Sequence, residues 1–199
     1  MSRASYPRAT TAAVVLAAGA STRLGEAKQL VRLGGETLLE RAVRVAREAG
    51  CTPVVVVLGA EAEMIRATCA LGDAVVAVNE RWREGMATSI QSGLKAVRAG
   101  IAAIGEANGV VLMTCDQPAV TAEHLRVLMA TGEMTASAYA GRWGVPAYFP
   151  ATAFAALGRL TGDAGGRELL REARTVELEG GELDIDTAEA LDEARRRFA

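Results

Sequence analysis

The chain has one histidine. His124 stands in TAEHL, early in an expected helix, and no second imidazole exists to build a zinc site. A Ser-His-Asp triad would have to use it, yet no GxSxG nucleophile elbow occurs anywhere in the 199 residues. The expectation is a helix-surface or capping residue, with chemistry run by groups other than imidazole. Cysteine is almost as scarce. Cys51, Cys69 and Cys115 are odd in number, widely spaced and without a CxxC pair. That excludes a disulfide framework and points to buried thiols in a cytoplasmic setting. Neither sign of charge dominates, because 22 Lys and Arg face 24 Asp and Glu. Such a balance excludes duplex nucleic acid and an anionic membrane surface as partners. No apolar run is long enough to span a bilayer. The head, MSRASYPRATT, lacks the apolar stretch of a signal peptide. Residues 1–11 are expected to form a flexible polar extension, and residues 12–199 one domain.

What is present is a rhythm. Short apolar, β-branched runs at 12–18, 53–59, 73–78 and 109–115 alternate with helical patterns at 36–50, 60–71 and 86–98, and another helix follows in TAEHLRVLMATG. Gly50 suits a left-handed helix end. In the third helix Met86, Ile90, Leu94 and Val97 share one face. Nearly continuous apolar strands separated by amphipathic helices predict an α/β fold, a mostly parallel sheet with helices on both faces. From Met134 the rhythm changes. MTASAYAGRWGVPAYFP predicts an antiparallel edge hairpin joined through GRWG, and a last helix follows in AEALDEARRR. In such sheets ligands bind beyond the carboxyl ends of the strands. The loops after the first and fourth strands therefore face one crevice.

Three stretches could carry chemistry there. In LAAGASTRLGEAKQL, Leu16 to Leu30, small residues surround Arg23 and Lys28. A P-loop is excluded, since Gly19 and Gly25 are spaced one residue too far apart and Lys28 does not adjoin Gly25. The dinucleotide fingerprint GxGxxG is also missing. What remains is a loop that lets backbone approach an anion and sets two cations beside it; an ordinary glycine-rich connection with solvated charges is the alternative. Asp116, directly after a buried strand in DQP, is placed to hold Mg²⁺ or to make a turn before Pro118. Asp184 and Asp186 in LDIDT offer further carboxylates, or a cap for the last helix. In NERWREGMATSIQSGL, Thr88 and Ser89 lie beside a helix start that could meet an anion or a nucleoside.

Taken in order, these stretches resemble the MobA-like nucleotidyltransferases, and among them the molybdenum cofactor cytidylyltransferase group. LAAGASTRLGEAKQL is similar to the signature LAAGxSxRMGxxKxL, with Leu24 for the usual methionine. NERWREGMATSIQSGL, DQP, GDAGGR and DIDT follow in the family's order, so the resemblance runs from Val14 to about Leu191. It implies a Rossmann-like fold of the nucleotide-diphospho-sugar transferase type. It also implies transfer of CMP from CTP to the terminal phosphate of molybdenum cofactor, with release of pyrophosphate. Leu16, Ala17, Ala18 and Gly19 would line the base and ribose, Arg23 and Lys28 would neutralise phosphates, and Ser89 and Gln91 would help hold a substrate. Mg²⁺ would be the cofactor, ligated by Asp116 with Asp186 as second carboxylate. A molybdoenzyme apoprotein or its chaperone would receive the product.

LAAG matches the cytidylyltransferase group, whereas guanylyltransferase relatives usually read LAGG. The chain departs from the family at Gly141–Pro146, where GxxGHP is usual and Val145 replaces the histidine. That departure bears on the acceptor pocket more than on the nucleotide pocket. A guanylyltransferase, a transferase to another small phosphate, and a catalytically weak escort for molybdenum cofactor are the alternatives.

Overall fold

Alternate side chains of the first strand, β1 (Thr10–Ala17), leave for opposite layers. Ala13, Val15 and Ala17 join one core; Ala12, Val14 and Leu16 join the other. A strand buried on both faces has no polar side to show, which is why this run does not alternate. A computed structural model describes residues 10–101, 107–163 and 166–198. The expected extension over residues 1–11 lies outside them up to residue 9, and Thr10 and Thr11 belong to β1.

Two short strands, β2 (Arg32–Leu33) and β3 (Glu36–Thr37), come next and lead into α1 (Leu38–Glu48). Then follow β4 (Val54–Leu58), α2 (Ala62–Thr68), β5 (Val75–Val78), α3 (Met86–Ile101) and β6 (Ala107–Thr114). The last third contains α4 (Ala122–Ala130), β7 (Thr135–Tyr139), β8 (Arg142–Pro150) and α5 (Phe154–Leu157). It ends with β9 (Arg174–Glu177) and α6 (Ala188–Phe198).

Seven strands form one sheet in the order β5-β4-β1-β6-β8-β7-β9. Pairings β5–β4–β1–β6 are parallel, β8 is antiparallel to both its neighbours, and β9 is parallel to β7. Only β8 therefore runs against the others. The α/β class and mostly parallel sheet are as the sequence predicts, and so is the antiparallel hairpin. Two details differ. The turn is Ala140–Gly141, both with positive φ (47° and 72°), so Arg142–Gly144 extend β8. Beyond the hairpin, β9 closes that side of the sheet.

Local chemistry fixes the helix ends. Thr37 Oγ1 accepts from the Glu40 amide at 3.1 Å while Glu40 accepts from the Thr37 amide at 2.8 Å, a reciprocal cap for α1. Gly50 follows with φ 91°, the left-handed geometry its position implied. Helix α2 is shorter than expected, because Cys69 turns extended. In α3, Ile90, Leu94 and Val97 are buried as predicted; Met86 instead stays 40% exposed, and Ala87 takes the inward position. Gly93 brings α3 close to the sheet: a Cβ there would stand 2.5 Å from Val14 Cγ1. Forcing a side chain into that contact should cost about 1–3 kcal/mol.

The three cysteines are buried and free, as expected. His124 differs from its expected surface role. Its amide does donate to the capping Thr121, but its ring is buried and its Nε2 lies 2.7 Å from Ser137 Oγ. The Ser137 hydroxyl donates to the Pro146 carbonyl at 2.6 Å, so the imidazole Nε2–H donates in turn to Ser137. The physical reason is the hairpin. Packing α4 on β7 turns the polar edge of a helix into an interior contact.

Candidate active site

A cavity of about 750 Å³ opens beyond the carboxyl ends of β1 and β6. Leu16 reaches it from the end of β1, Arg23 and Lys28 from the loop that follows, Asp116 and Gln117 from the loop after β6, and Asp184 and Asp186 from the approach to α6. Residues separated by more than 150 positions in sequence thus meet at one place. The parallel topology explains the first two groups, since β1 and β6 are hydrogen-bonded neighbours and end side by side.

The first loop is shaped by its own backbone. Ser21 takes a left-handed conformation (φ 51°), accepts from the amides of Leu24 and Gly25, and receives the Lys28 amide on its hydroxyl at 3.1 Å. That conformation is strained for a residue with a side chain and is tolerated where the surroundings impose it. Gln29, fully buried, donates its amide to the carbonyls of Ala17 (2.8 Å) and Gly19 (3.0 Å). These bonds turn both carbonyls inward and fix the end of the strand. Gln29 Oε1 has no protein partner. Sequence reasoning missed Gln29, because a buried amide that serves two backbone carbonyls leaves no pattern in the sequence.

Lys28 Nζ lies between two carboxylates, donating to Asp116 Oδ2 and, at 2.9 Å, to Asp186 Oδ1. Arg23 donates to the other oxygen of Asp186 at 2.7 Å. Burial alone would lower the Lys28 pKa, but Asp116 and Asp186 outweigh it and hold the ammonium charged. Burial likewise opposes ionisation of Asp186, and the bonds from Lys28 and Arg23 overcome it, lowering its pKa. At Asp184 the opposing influences of Arg142 and Gln117 are too weak to do the same. Burial, then the neighbouring charges of Asp116 and Asp186, push its pKa up to about 6. Asp186 does not cap α6; Thr187 does, accepting from the Ala190 amide.

Among the described residues no three His, Cys, Asp or Glu side chains gather into a complete metal cage. The donor set nevertheless suits Mg²⁺, which takes one or two carboxylates and completes its shell from phosphates and water. Asp116 and Asp186 already converge on one cationic atom.

Other expected residues lie elsewhere. Ser89 is buried, and its hydroxyl accepts from Asn79 Nδ2 at 3.0 Å, outside the cavity lining. Gln91 donates to the Leu160 carbonyl at 2.9 Å and holds a loop. Ala17 and Ala18 pack into the two cores, and Ala18 lies beneath α3. The amino end of α3 meets the protein's own anion: Asp163 accepts from the Met86 amide at 3.3 Å, and the Ala87 amide donates to Gly162 at 3.0 Å. Gly85 makes this possible, because a Cβ there would stand 2.5 Å from the Gly162 carbonyl. Two stretches noted separately in the sequence, NERWREGM and GDAGGR, are therefore one structural joint; Ala164 and Gly165 of the second lie outside the described residues.

The chain is similar to known proteins over most of its length. The family profile described as "MobA-like NTP transferase domain" matches residues 13–178. Nicotine blue oxidoreductase of Paenarthrobacter nicotinovorans is 34% identical, over 89% of this chain and 93% of its own. "Probable molybdenum cofactor guanylyltransferase" of Opitutus terrae is 41% identical, over 56% of this chain and 50% of its own. Among solved structures, Rv0371c from Mycobacterium tuberculosis H37Rv superposes with a TM-score of 0.82 at 34% identity, covering 94% of this chain and 98% of that one. A second structure of Rv0371c, in complex with manganese, matches with a TM-score of 0.77 at 32% identity, over 94% and 99% of the two chains.

Proposed function

This chain belongs to the MobA-like NTP transferase family, and from that premise we propose that it transfers CMP from CTP to the terminal phosphate of molybdenum cofactor. The observation that carries the reading is the Lys28 ammonium set between Asp116 and Asp186 in the crevice, with Arg23 on the rim. Cations and carboxylates in alternation are what a magnesium-bound triphosphate requires. Asp116 and Asp186 would hold Mg²⁺, which supplies charge compensation for the phosphates. Lys28, on its flexible stem, and Arg23 would then face phosphate oxygens. Leu16 and the backbone through Gly19 would carry the nucleoside.

An oxygen of the acceptor's terminal phosphate forms a bond to the α-phosphorus of CTP. The bond from that phosphorus to the β-phosphate bridging oxygen breaks, and pyrophosphate leaves with the electron pair. The nucleophile is already an anion, so no side chain need remove a proton. The barrier is charge repulsion and alignment, which fixed cations reduce. This accords with the location of the only imidazole, that of His124, in the interior between α4 and β7.

The choice of CTP rests on the LAAG pattern at Leu16–Gly19. The Opitutus relative favours a second reading, in which GTP is the donor. The Paenarthrobacter relative, named an oxidoreductase, adds a rival of another class. One assay separates them: pyrophosphate release from each of the four nucleoside triphosphates, with and without molybdenum cofactor, alongside NADH and NADPH oxidation. Cofactor-dependent pyrophosphate from CTP is expected. Release from GTP alone would replace the donor; reductase activity without pyrophosphate would replace the class.

A further inference from the structure

Aromatic residues make up only 4% of the sequence. Yet Tyr139, Trp143 and Phe149, all from the β7–β8 hairpin, line the cavity. Two large apolar side chains stay exposed at its margin: Trp143 (41%) from β8 and Met86 (40%) from the start of α3. Exposed apolar groups gathered from different elements around one cavity mark a binding surface better than scattered ones do. We infer that Trp143 is the residue by which this chain selects a planar, fused-ring acceptor, its indole stacking on the ring system. The inference rests on the transfer reading above.

The topology assigns Trp143 to the acceptor side. Strand β8 stands two places from β1 in the sheet, roughly 10 Å at ordinary strand spacing. Leu112 of β6 is paired with Ala147 and Thr114 with Leu16. Past Ala147 the β8 strand leaves β6, and a two-residue bulge at Val145–Pro146 precedes the pairing of Gly144 and Trp143 with β7. The indole lines the same cavity as Lys28, Asp116 and Asp186, and reaches it from a strand two places away from β1. A nucleotide resting on Leu16–Gly19 would leave this wall to the second substrate.

The wall is rigid, which keeps the entropy cost of stacking low. Tyr139 donates its hydroxyl to the Val145 carbonyl at 3.2 Å, and Gly144 leaves room for it, since a Cβ would stand 3.1 Å from that oxygen. Ser137 holds the next carbonyl, that of Pro146. The Tyr139 ring is already faced by Arg142, whose guanidinium carbon is 5.5 Å from the ring centroid. Among the described residues no cation faces Trp143 in the same way. Val145, standing where the resemblance expects histidine, continues the apolar surface. A sugar or alcohol phosphate has no flat face to offer this wall.

Two measurements test the inference. In the transfer assay, Trp143→Ala should raise KM for molybdenum cofactor roughly tenfold or more, the order expected for a lost aromatic stack, while Trp143→Phe largely restores it. KM for CTP should move less than twofold, and glycerol 3-phosphate should not serve as acceptor. The second measurement needs no turnover. Pterin-6-carboxylate, excited beyond tryptophan absorption, should lose emission on binding the unmodified protein through contact with the indole. Trp143→Phe should bind the probe without that loss. Unchanged acceptor KM in Trp143→Ala, a rise in KM for CTP instead, or equal quenching in Trp143→Phe would overturn the inference while leaving nucleotidyl transfer intact. Absence of pyrophosphate release with every substrate pair would instead sink the transfer reading itself.

Discussion

On the β1 side of the crevice the working side chains are charged and hold one another: Lys28 with Asp116 and Asp186, and Arg23 with Asp186. On the β8 side they are aromatic or aliphatic and are held by backbone contacts, with Trp143, Gly144 and Val145 on a strand pinned through Tyr139 and Ser137. The difference teaches which half of a substrate each wall can recognise. Paired charges in a half-buried site exchange readily for phosphate and metal ion, since each group already has its counter-charge nearby. An apolar surface such as that of Trp143 and Val145 reads shape and flatness more than charge. Changes on the first wall should therefore act mainly on turnover and nucleotide affinity, and changes on the second on acceptor affinity.

The strongest way to break that division is Asp116→Asn. It keeps size and removes charge, so turnover should fall at least ~100-fold with the circular dichroism spectrum unchanged. Near-normal turnover in the folded variant would return Asp116 to turn chemistry. Next is Lys28→Ala, which removes two charged hydrogen bonds, takes the ammonium from Asp116 and leaves Asp186 with Arg23 alone. At about 1.5–3 kcal/mol for a charged hydrogen bond, kcat/KM for CTP should drop roughly ten- to a hundredfold. Equal loss for the acceptor and the nucleotide would erase the proposed distinction between the walls.

Arg23 should matter less, because its side chain is 72% exposed. Arg23→Lys is expected to lower kcat/KM by about two- to fivefold, read from initial rates at several salt concentrations. Ala18→Gly concerns nucleotide choice. The Ala18 methyl sits in the core beneath α3, so it can act on the base only through the backbone. Competition between CTP and GTP should show a relaxed, uninverted preference, within the roughly ten- to two-hundredfold that shape discrimination supplies.

The smallest effect lies behind the second wall. Burial lowers the His124 pKa from its ordinary value of 6.5. A base whose folded pKa is depressed contributes stability above the unfolded value and loses it as pH falls, because the unfolded chain takes up the proton first. Thermal stability should therefore weaken from about pH 7 downward in the unmodified protein. His124→Gln, which can still donate to Ser137, should lack that component. Parallel melting curves for the two proteins at every pH from 7 to 5 would refute it.

Much of the fold was readable because it depends on local pattern. The unbroken apolar runs of β1 and β4 announce strands covered on both faces, and the stretch Glu36–Gly50 carries its own cap and stop. Lys28 and Asp116 were readable as partners because strand ends in a parallel sheet share one crevice. His124 was misread because helix periodicity reports which residues share a face, and α4 meets its neighbour β7 with a polar one. Gln29 was missed for a similar reason. Its two bonds run to carbonyls ten and twelve residues back, and no spacing rule flags an amide that serves backbone.

The sequence by itself determined the layered α/β class, the charged composition of the first loop and the acidic residue after β6. Each follows from short-range hydrophobic periodicity or from residue chemistry at a strand end. Only the tertiary structure decided that Asp186 would meet Lys28 across 158 positions, and that Gly85 would dock on Gly162. The same holds for the hairpin, which brings its aromatics into the lining of the same cavity. Those outcomes depend on the reversed direction of β8 and the packing of α3 and α6 around the sheet. They arise from many weak long-range contacts acting together, which no local stretch of chain encodes.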